Sequence, residues 1–317
     1  MDIYKDFIIF IIGIFVIIKS ADLFTAGAEG IARAFRIPRV IIGLTIVSLA
    51  TTAPEFTVST ISSYMGVGGI AVGNAVGSCL ANIGLVLGIA VIIRAIDFTP
   101  RVIKQELFFL VIAVIILYLL MLDGTLTFGD GLFLCLLLAA FFIYIILREL
   151  KTRRRREEET PSNYNPRKDI LKFLAGAAGV VLSAKYAIIP PGINIAHFLG
   201  VPEIVIGLSM IAVGTSLPEL VTAVIAIRKK MGELAAGNVI GSNILNILWV
   251  LGFSSLINPL NIDIQTRRIT MPVLLFITFL MFLFSRTKFK LTRGEGLTLL
   301  AIYGGYIFYI LKFAYGQ

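Results

Sequence analysis

The sequence predicts an all-α membrane protein of ten transmembrane helices arranged as two inverted five-helix repeats. Three observations predict it. Of the 317 residues, 58% are hydrophobic. The apolar residues fall into ten helix-length stretches. One polar pattern also occurs twice, 164 residues apart.

A helix needs about 20 apolar residues to cross a hydrocarbon core roughly 30 Å thick. The stretches at 4–30, 40–64, 69–94, 104–122, 128–148, 170–190, 203–227, 233–257, 269–285 and 295–313 meet this need. The first carries Asp22 and Glu29 in its C-terminal part, as expected of a tilted helix or one that follows a cavity. Residues 1–20 read as a true span, because no small-residue cleavage site precedes a soluble domain. Cys79 and Cys135 lie in different stretches and form no metal or redox pattern. The single histidine, His197, reads as a loop or helix-end residue.

The net charge is +9, but its placement argues against nucleic acid as a partner. With ten spans, the odd-numbered connections share one side. That side collects Arg33, Arg36, Arg39, Arg94, Arg101, Lys104, Arg153 to Arg156, Arg228 to Lys230, Arg286, Lys288, Lys290 and Arg293. The opposite side holds Lys5, Lys185, Arg267, Arg268 and Lys312. Cytoplasmic loops are the basic ones. The expected protein is therefore a multi-pass cell-membrane protein with both termini outside the cytoplasm. Its expected surroundings are the lipid bilayer, and no protein partner is implied.

Displaced by 164 residues, Gly43–Gly88 overlies Gly207–Gly252 without a gap, and more than a third of the positions are identical. The matches include Thr51/Thr215, Pro54/Pro218, Glu55/Glu219, Asn74/Asn238, Ser78/Ser242 and Asn82/Asn246. Most matches are Gly, Pro, Asn, Glu, Ser and Thr, so shared apolar composition does not explain them, and the pattern is an internal repeat. The division is 1–150 for the first repeat, 151–168 for a cytoplasmic linker and 169–317 for the second repeat. Five spans per repeat is an odd number, so the second repeat enters the membrane from the opposite face. This inverted plan recurs in secondary transporters, with the binding site near the midplane. The linker carries an arginine run followed by Glu157, Glu158 and Glu159 and reads as a solvated segment.

Ionisable residues within spans face cavities or bundle interiors and mark ion or proton pathways. Glu55 and Glu219 have no basic residue in the central spans to pair with. Two such carboxylates either share protons or hold a cation. Pro54 and Pro218 lack an N–H and clash with the carbonyl four residues back. Each is expected to break its helix, near Ala50–Thr51 and Gly214–Thr215. Freed carbonyls at membrane depth are tolerated where they line a cavity, and these lie one turn from the glutamates. Thr52 and Ser216 add hydroxyls. Ser78 with Asn82, and Ser242 with Asn246, are four residues apart and share a helix face. Gly73/Gly77 and Gly237/Gly241 allow close helix approach. Asn74 and Asn238 are candidates to bond the broken backbone. The donors are all hard oxygens, which suit calcium. No His or Cys cluster exists for softer metals.

These residues resemble the cation/calcium exchanger superfamily. Gly214-Thr215-Ser216-Leu217-Pro218-Glu219 and Gly237-Asn238-Val239-Ile240-Gly241-Ser242-Asn243 match the repeated motifs of that superfamily almost letter for letter. The ten-span plan looks most like the prokaryotic sodium/calcium exchangers. The resemblance implies calcium coordination by Glu55 and Glu219 with the carbonyls of Thr51 and Thr215. It implies sodium sites that share these glutamates and add Thr52, Ser78, Ser216 and Ser242, with the backbone of Ser48 and Ala212 at matching positions. Asn82 and Asn246 would complete the centre, and spans 1 and 6 would slide across the other eight. The chain departs from the pattern at Ala50 (usually Gly), Thr52 (usually Ser) and Ser48 (often Ala). Asn246 stands where potassium-dependent relatives carry Asp, which argues against a potassium requirement. Val76 and Gly77 stand where proton/calcium antiporters place a Glu, which favours sodium.

The expected activity is antiport of sodium and calcium by alternating access, with these ions as cargo and no cofactor. The alternatives are a proton/calcium antiporter and, further off, a passive cation channel. Magnesium or manganese as cargo stays open. An enzyme ranks last, because no nucleophile–base pair or His-rich metal motif is present.

Overall fold

A chain segment in hydrocarbon must satisfy its backbone N–H and C=O groups internally, and long apolar runs therefore close into helices. The computed structural model describes residues 3–34, 48–98, 102–153, 166–228, 230, 232–287 and 289–314. The linker run Glu157–Glu159, together with Arg36, Arg39 and Gly43 of the first basic loop and repeat, lies outside them.

Helix α1 spans Ile3–Ala34. A short helical turn at Ser48–Thr51 precedes α2, Ala53–Tyr64. Helix α3 runs over Gly68–Ala81, a π-helical turn at Asn82–Leu87, and Gly88–Ile93. Strand β1 is Ile96–Asp97, α4 is Phe108–Leu120, β2 is Thr125–Leu126 and α5 is Phe128–Arg153. Helix α6, Arg167–Leu199, contains a π-turn at Ala184–Ile188 just before Pro190 and Pro191. Helical turns from Glu203 to Thr215 lead into α7, Leu217–Arg228. Helix α8 repeats the plan of α3 over Gly232–Leu245, a π-turn at Asn246–Leu251, and Gly252–Ile257. Strand β3 is Leu260–Asn261, α9 is Met271–Arg286, β4 is Lys290–Leu291 and α10 is Arg293–Ala314.

Among the described residues, eight helices are long and apolar enough to cross a membrane. Of the other two expected stretches, one yields a shorter apolar helix, Gln105–Leu120, about 24 Å long at 1.5 Å per residue. The other, 40–64, is described only from Ser48.

Burial separates the helices into core and periphery. In the apolar window of α3, 78% of residues are buried, against 18% in that of α1. Helices α3 and α8 therefore form the centre. Close approach is built from glycine. A Cβ on Gly77 would lie 2.7 Å from the Ala212 Cβ, and one on Gly73 would lie 2.9 Å from the Leu208 nitrogen. The α3 backbone thus touches the turns that lead into α7. Helices α1 and α6 meet in the same way, with Gly13 against Ala187, Gly27 against Phe173 and Gly176 against Phe24. Phe24 and Phe173 stack there at 4.6 Å.

Two-residue ladders join distant connections. β1 pairs antiparallel with β4, Asp97 opposite Lys290, and β2 pairs with β3, Thr125 opposite Asn261. Helices α5 and α10 open on matching caps. The Thr127 nitrogen donates to Asp130 at 2.8 Å, and the Thr292 nitrogen donates to Glu295 at 2.7 Å, each carboxylate satisfying one backbone donor at a helix start. At the centre, Cys79 and Asn243 occupy equivalent places in the two sequence copies and touch. The Asn243 Nδ2 donates to the Cys79 carbonyl at 3.3 Å, and the Cys79 thiol donates to the Asn243 carbonyl at 3.8 Å.

Candidate functional site

The two prolines sit in the first turns of new helices, α2 and α7. Having no N–H, each leaves the carbonyl four residues back, of Ala50 or Gly214, without its helical donor. The breaks fall at Thr52 and Ser216, one residue beyond the expected Ala50–Thr51 and Gly214–Thr215. The backbone reaches across them: Thr52 nitrogen to Ser48 oxygen is 2.9 Å, and Ser216 nitrogen to Ala212 oxygen is 3.0 Å. The helix therefore turns about one residue immediately before each proline-bearing turn. Helices α3 and α8 relax into π-turns that begin at Asn82 and Asn246. Such turns concentrate at functional sites.

All twelve expected site residues are buried: Ser48, Thr51, Thr52, Glu55, Ser78, Asn82, Ala212, Thr215, Ser216, Glu219, Ser242 and Asn246. Most are brought together through side-chain contacts, the majority of them across the two halves. Ser216 donates to Glu55 Oε1 at 3.4 Å, and Ser242 donates to Glu219 Oε1 at 3.4 Å. Ser78 meets Thr215 at 3.4 Å, and Thr51 meets Ser242 at 3.4 Å. Ser48 reaches Asn238 Oδ1 at 3.4 Å. Both carboxylates, Glu55 and Glu219, are 0% exposed. Neither has a basic partner among the described residues, where the ion pairs lie at the periphery, such as Lys290–Asp97 at 3.3 Å. No group of three or more His, Cys, Asp or Glu side chains occurs there either.

Five oxygens of this cluster are buried without a hydrogen-bond donor: Glu55 Oε2, Glu219 Oε2, Thr52 Oγ1, Asn82 Oδ1 and Asn246 Oδ1. Each buried, unsatisfied polar group costs about 1–3 kcal/mol, more when charged. Five together, two of them carboxylate oxygens, form an arrangement with the chemistry to hold a dehydrated cation.

Asn74 does more than bond the backbone beside the break. Its Nδ2 donates to the Glu55 carbonyl at 3.1 Å and to Ser59 at 3.0 Å, and its Oδ1 accepts from Thr215 at 3.1 Å. It thus stitches the two broken helices together. Its counterpart Asn238 only accepts, from Ser48 and from Thr51 at 3.5 Å. Sequence reasoning missed Ser59, Ser63 and Asn243. The serines were visible as a polar stripe, Glu55-Ser59-Ser62-Ser63, at helical spacing. Ser63 donates to the Ser254 carbonyl at 2.6 Å, tying the end of α2 to α8. His197 lies near the C-terminal end of α6, 3.9 Å from Glu203 and exposed. Lys185 is exposed beside Tyr186.

Fold and site define the class: a polytopic helical membrane protein with a cage of hard oxygens at its buried centre. The family profile described as "Sodium/calcium exchanger protein" matches residues 5–147 and again 168–312. The chain belongs to this sodium/calcium exchanger family. It is 31% identical to the sodium/calcium exchanger MaX1 of Methanosarcina acetivorans, over 96% of this chain and 99% of that protein. It is 33% identical to the inner membrane protein YrbG of Escherichia coli, over 95% and 94%. Its fold is similar to that of the sodium-calcium exchanger NCX_Mj soaked with sodium and strontium ions. That match has a TM-score of 0.70 and 31% identity, and covers 96% of this chain and 98% of the other.

Proposed function

We propose that this protein is a sodium/calcium antiporter of the cell membrane. One observation carries the reading: two buried carboxylates, with no basic partner among the described residues, share a cluster of donor-free oxygens where two broken helices cross α3 and α8. The ligands are Glu55 and Glu219, the carbonyls of Thr51 and Thr215, the hydroxyls of Thr52, Ser78, Ser216 and Ser242, the amide oxygens of Asn82 and Asn246, and the backbone of Ser48 and Ala212. Calcium and sodium are the cargo.

The architecture is ten spans in two inverted repeats, 1–150 and 169–317, joined by a cytoplasmic linker at 151–168, with both termini outside the cytoplasm. The strand ladders support the inversion. β1 follows the third span of the first repeat and β3 the third span of the second. β2 and β4 each follow a fourth span. In inverted repeats equivalent connections lie on opposite membrane faces, so β1 must pair with β4 and β2 with β3, as they do. The contact between Cys79 and Asn243 also suits residues on a two-fold axis. The family profile matches each half separately.

Calcium bound to two carboxylates at about 2.4 Å per bond holds them about 5 Å apart. At an effective dielectric near 20, their repulsion without a cation is about 3 kcal/mol. Crossing the membrane with the site unfilled is therefore costly, and departing calcium must be replaced by sodium. That couples the two fluxes. Helices α1 and α6, tied together by glycine contacts and largely lipid-facing, are the mobile pair. Sodium rather than protons is supported by Val76 and Gly77, and by the names of MaX1 and NCX_Mj.

Calcium-45 uptake into sodium-loaded proteoliposomes at clamped pH tests the reading. Uptake should follow the outward sodium gradient and ignore an imposed proton gradient. The reverse dependence would establish proton coupling, and flux at channel-like rates without a counter-ion would remove antiport altogether.

A further inference from the structure

We infer that the pair Asn243 and Cys79 makes the two central asparagines unequal. Asn243 locks Asn82 as a fixed oxygen donor, whereas Cys79 holds Asn246 too weakly to keep its amide from turning over. The inference rests on the cation-binding reading above and concerns how that site holds and releases its load.

The argument starts from one backbone group. Asn243 Nδ2 donates to the Cys79 carbonyl at 3.3 Å. A carbonyl only accepts, so this contact decides which end of the Asn243 amide is nitrogen. Its Oδ1 must then face the other way, where it accepts from Asn82 Nδ2 at 3.1 Å. That in turn decides the orientation of Asn82. Its nitrogen is held, and its Oδ1, buried and without a donor, is the atom left for a cation. All three groups are buried, so water does not compete for them. Asn243 is thus a positioning residue for Asn82.

The mirror arrangement fails at one atom. Position 79 is the counterpart of 243, and its thiol donates to the Asn243 carbonyl at 3.8 Å, reproducing the first contact. A thiol has no amide oxygen, and its sulfur is only a weak acceptor. Cys79 lies beside Asn246 and offers it only that weak acceptor; neither Nδ2 nor Oδ1 of Asn246 comes within full hydrogen-bond geometry of a partner, although the residue is only 1% exposed. The terminal amide torsion is broad and roughly two-fold, so one half-turn exchanges oxygen for N–H at the same place. With a cation present, Asn246 offers its oxygen. With the cation gone, it offers N–H groups to the carboxylates. Asn82 cannot follow.

Calcium-45 binding and exchange by the full-length protein in proteoliposomes test this. Cys79→Asn supplies the missing acceptor and should fix the Asn246 oxygen toward the cation. The calcium KM should fall about 5- to 10-fold, the size of one charge-assisted contact, with slower maximal exchange because release is harder. Asn243→Cys should raise the calcium KM by a similar factor. The decisive arm repeats Asn243→Cys in an Asn82→Asp background. A carboxylate presents oxygen whichever way it turns, so the effect should vanish there, whereas a packing role for Asn243 would persist. A parental KM in Cys79→Asn, or additive effects in the double variant, would overturn the inference. If Asn243→Cys does not fold, Cys79→Asn alone decides. Absence of calcium binding by the parent protein would instead overturn the functional reading.

Discussion

Replacing Glu219 by Gln tests the chemistry of the site at nearly constant shape. In the folded protein, Glu219 Oε1 accepts from Ser242 at 3.4 Å, while Oε2 has no donor. A glutamine that keeps the serine bond puts its oxygen at the first position and its NH2 at the second. The variant therefore loses a unit charge and turns a donor-free oxygen into a donor aimed at the cation. A divalent ion about 3 Å from a carboxylate interacts by about 11 kcal/mol at an effective dielectric of 20, and a monovalent ion by about half that. Lost hydration cancels most of it. Charge-assisted contacts retain roughly 1.5–3 kcal/mol net, so we assign about 3 kcal/mol to calcium and about 1.5 to sodium. Calcium affinity should fall on the order of 100-fold and sodium affinity about 10-fold. Removing one of two repelling charges should also raise the thermal midpoint of the cation-free protein. Glu55→Gln should behave alike, because Glu55 Oε1 takes a 3.4 Å bond from Ser216 and its Oε2 is equally bare. The assays are calcium-45 exchange against sodium and calcium titrations, and a melting curve in chelator. Full exchange at the parental calcium KM in either variant would refute the reasoning, as would a lower cation-free midpoint.

Asn74→Ala removes three bonds that join α2, α3 and the turn before α7, and should destabilise by about 2–4 kcal/mol. Asn238→Ala, which loses only two longer bonds, should cost visibly less. Equal melting shifts for the two would contradict the asymmetry. Gly77→Val places a Cβ 2.7 Å from Ala212 Cβ and 2.8 Å from the Leu208 oxygen. The forced separation should cost about 1–3 kcal/mol and weaken the Ser78–Thr215 contact, seen as a lower midpoint together with a higher calcium KM. Single cysteines in a background without Cys79 and Cys135 test the topology: Asp97 and Lys290 should be labelled from one face by an impermeant reagent, and Thr125 and Asn261 from the other. Labelling of positions 97 and 125 from the same face would refute the inversion.

The helical membrane character, the family and the polar cluster were legible in the sequence for one physical reason. Pro, Glu, Asn and Ser are costly inside apolar helices, so their recurrence at matching places stands out against the hydrophobic background. The position of the breaks was legible to within one residue. Pro54 and Pro218 dictate which carbonyl loses its donor, but not which residue absorbs the turn, and Thr52 and Ser216 do so because each new helix begins just ahead of its proline. The strand ladders were not legible. Two-residue pairs such as Ile96–Asp97 with Lys290–Leu291 form because the helix ends place them together, and nothing in their own sequence requires it. The role of Asn243 was hidden as well, since it depends on a contact across the molecule with Cys79.

Identity between the two copies shows what both halves need, and differences show what only one half does. Ser59 and Ser63 on α2 correspond to Ala223 and Ile227 on α7. Ser254 and Asn258 at the end of α8 correspond to Ala90 and Arg94 at the end of α3. On the first side, Ser63 binds the Ser254 carbonyl at 2.6 Å, and Asn258 donates to the Ser63 carbonyl at 3.4 Å. The counterparts on the second side include two side chains, Ala223 and Ile227, with no polar atom to offer. Phe56 stacks on Trp249 at 4.1 Å where the other copy has Leu220 and Leu85. The junction of α2 with α8 is thus bound by hydrogen bonds and ring stacking, whereas Ala223 and Ile227 at the matching positions of α7 offer apolar contact alone. Apolar contacts are non-directional, so helices joined by them slide more readily than helices joined by short hydrogen bonds. For the proposed antiporter this inequality predicts two faces that open at different cost, even though the proposed ion ligands are nearly duplicated.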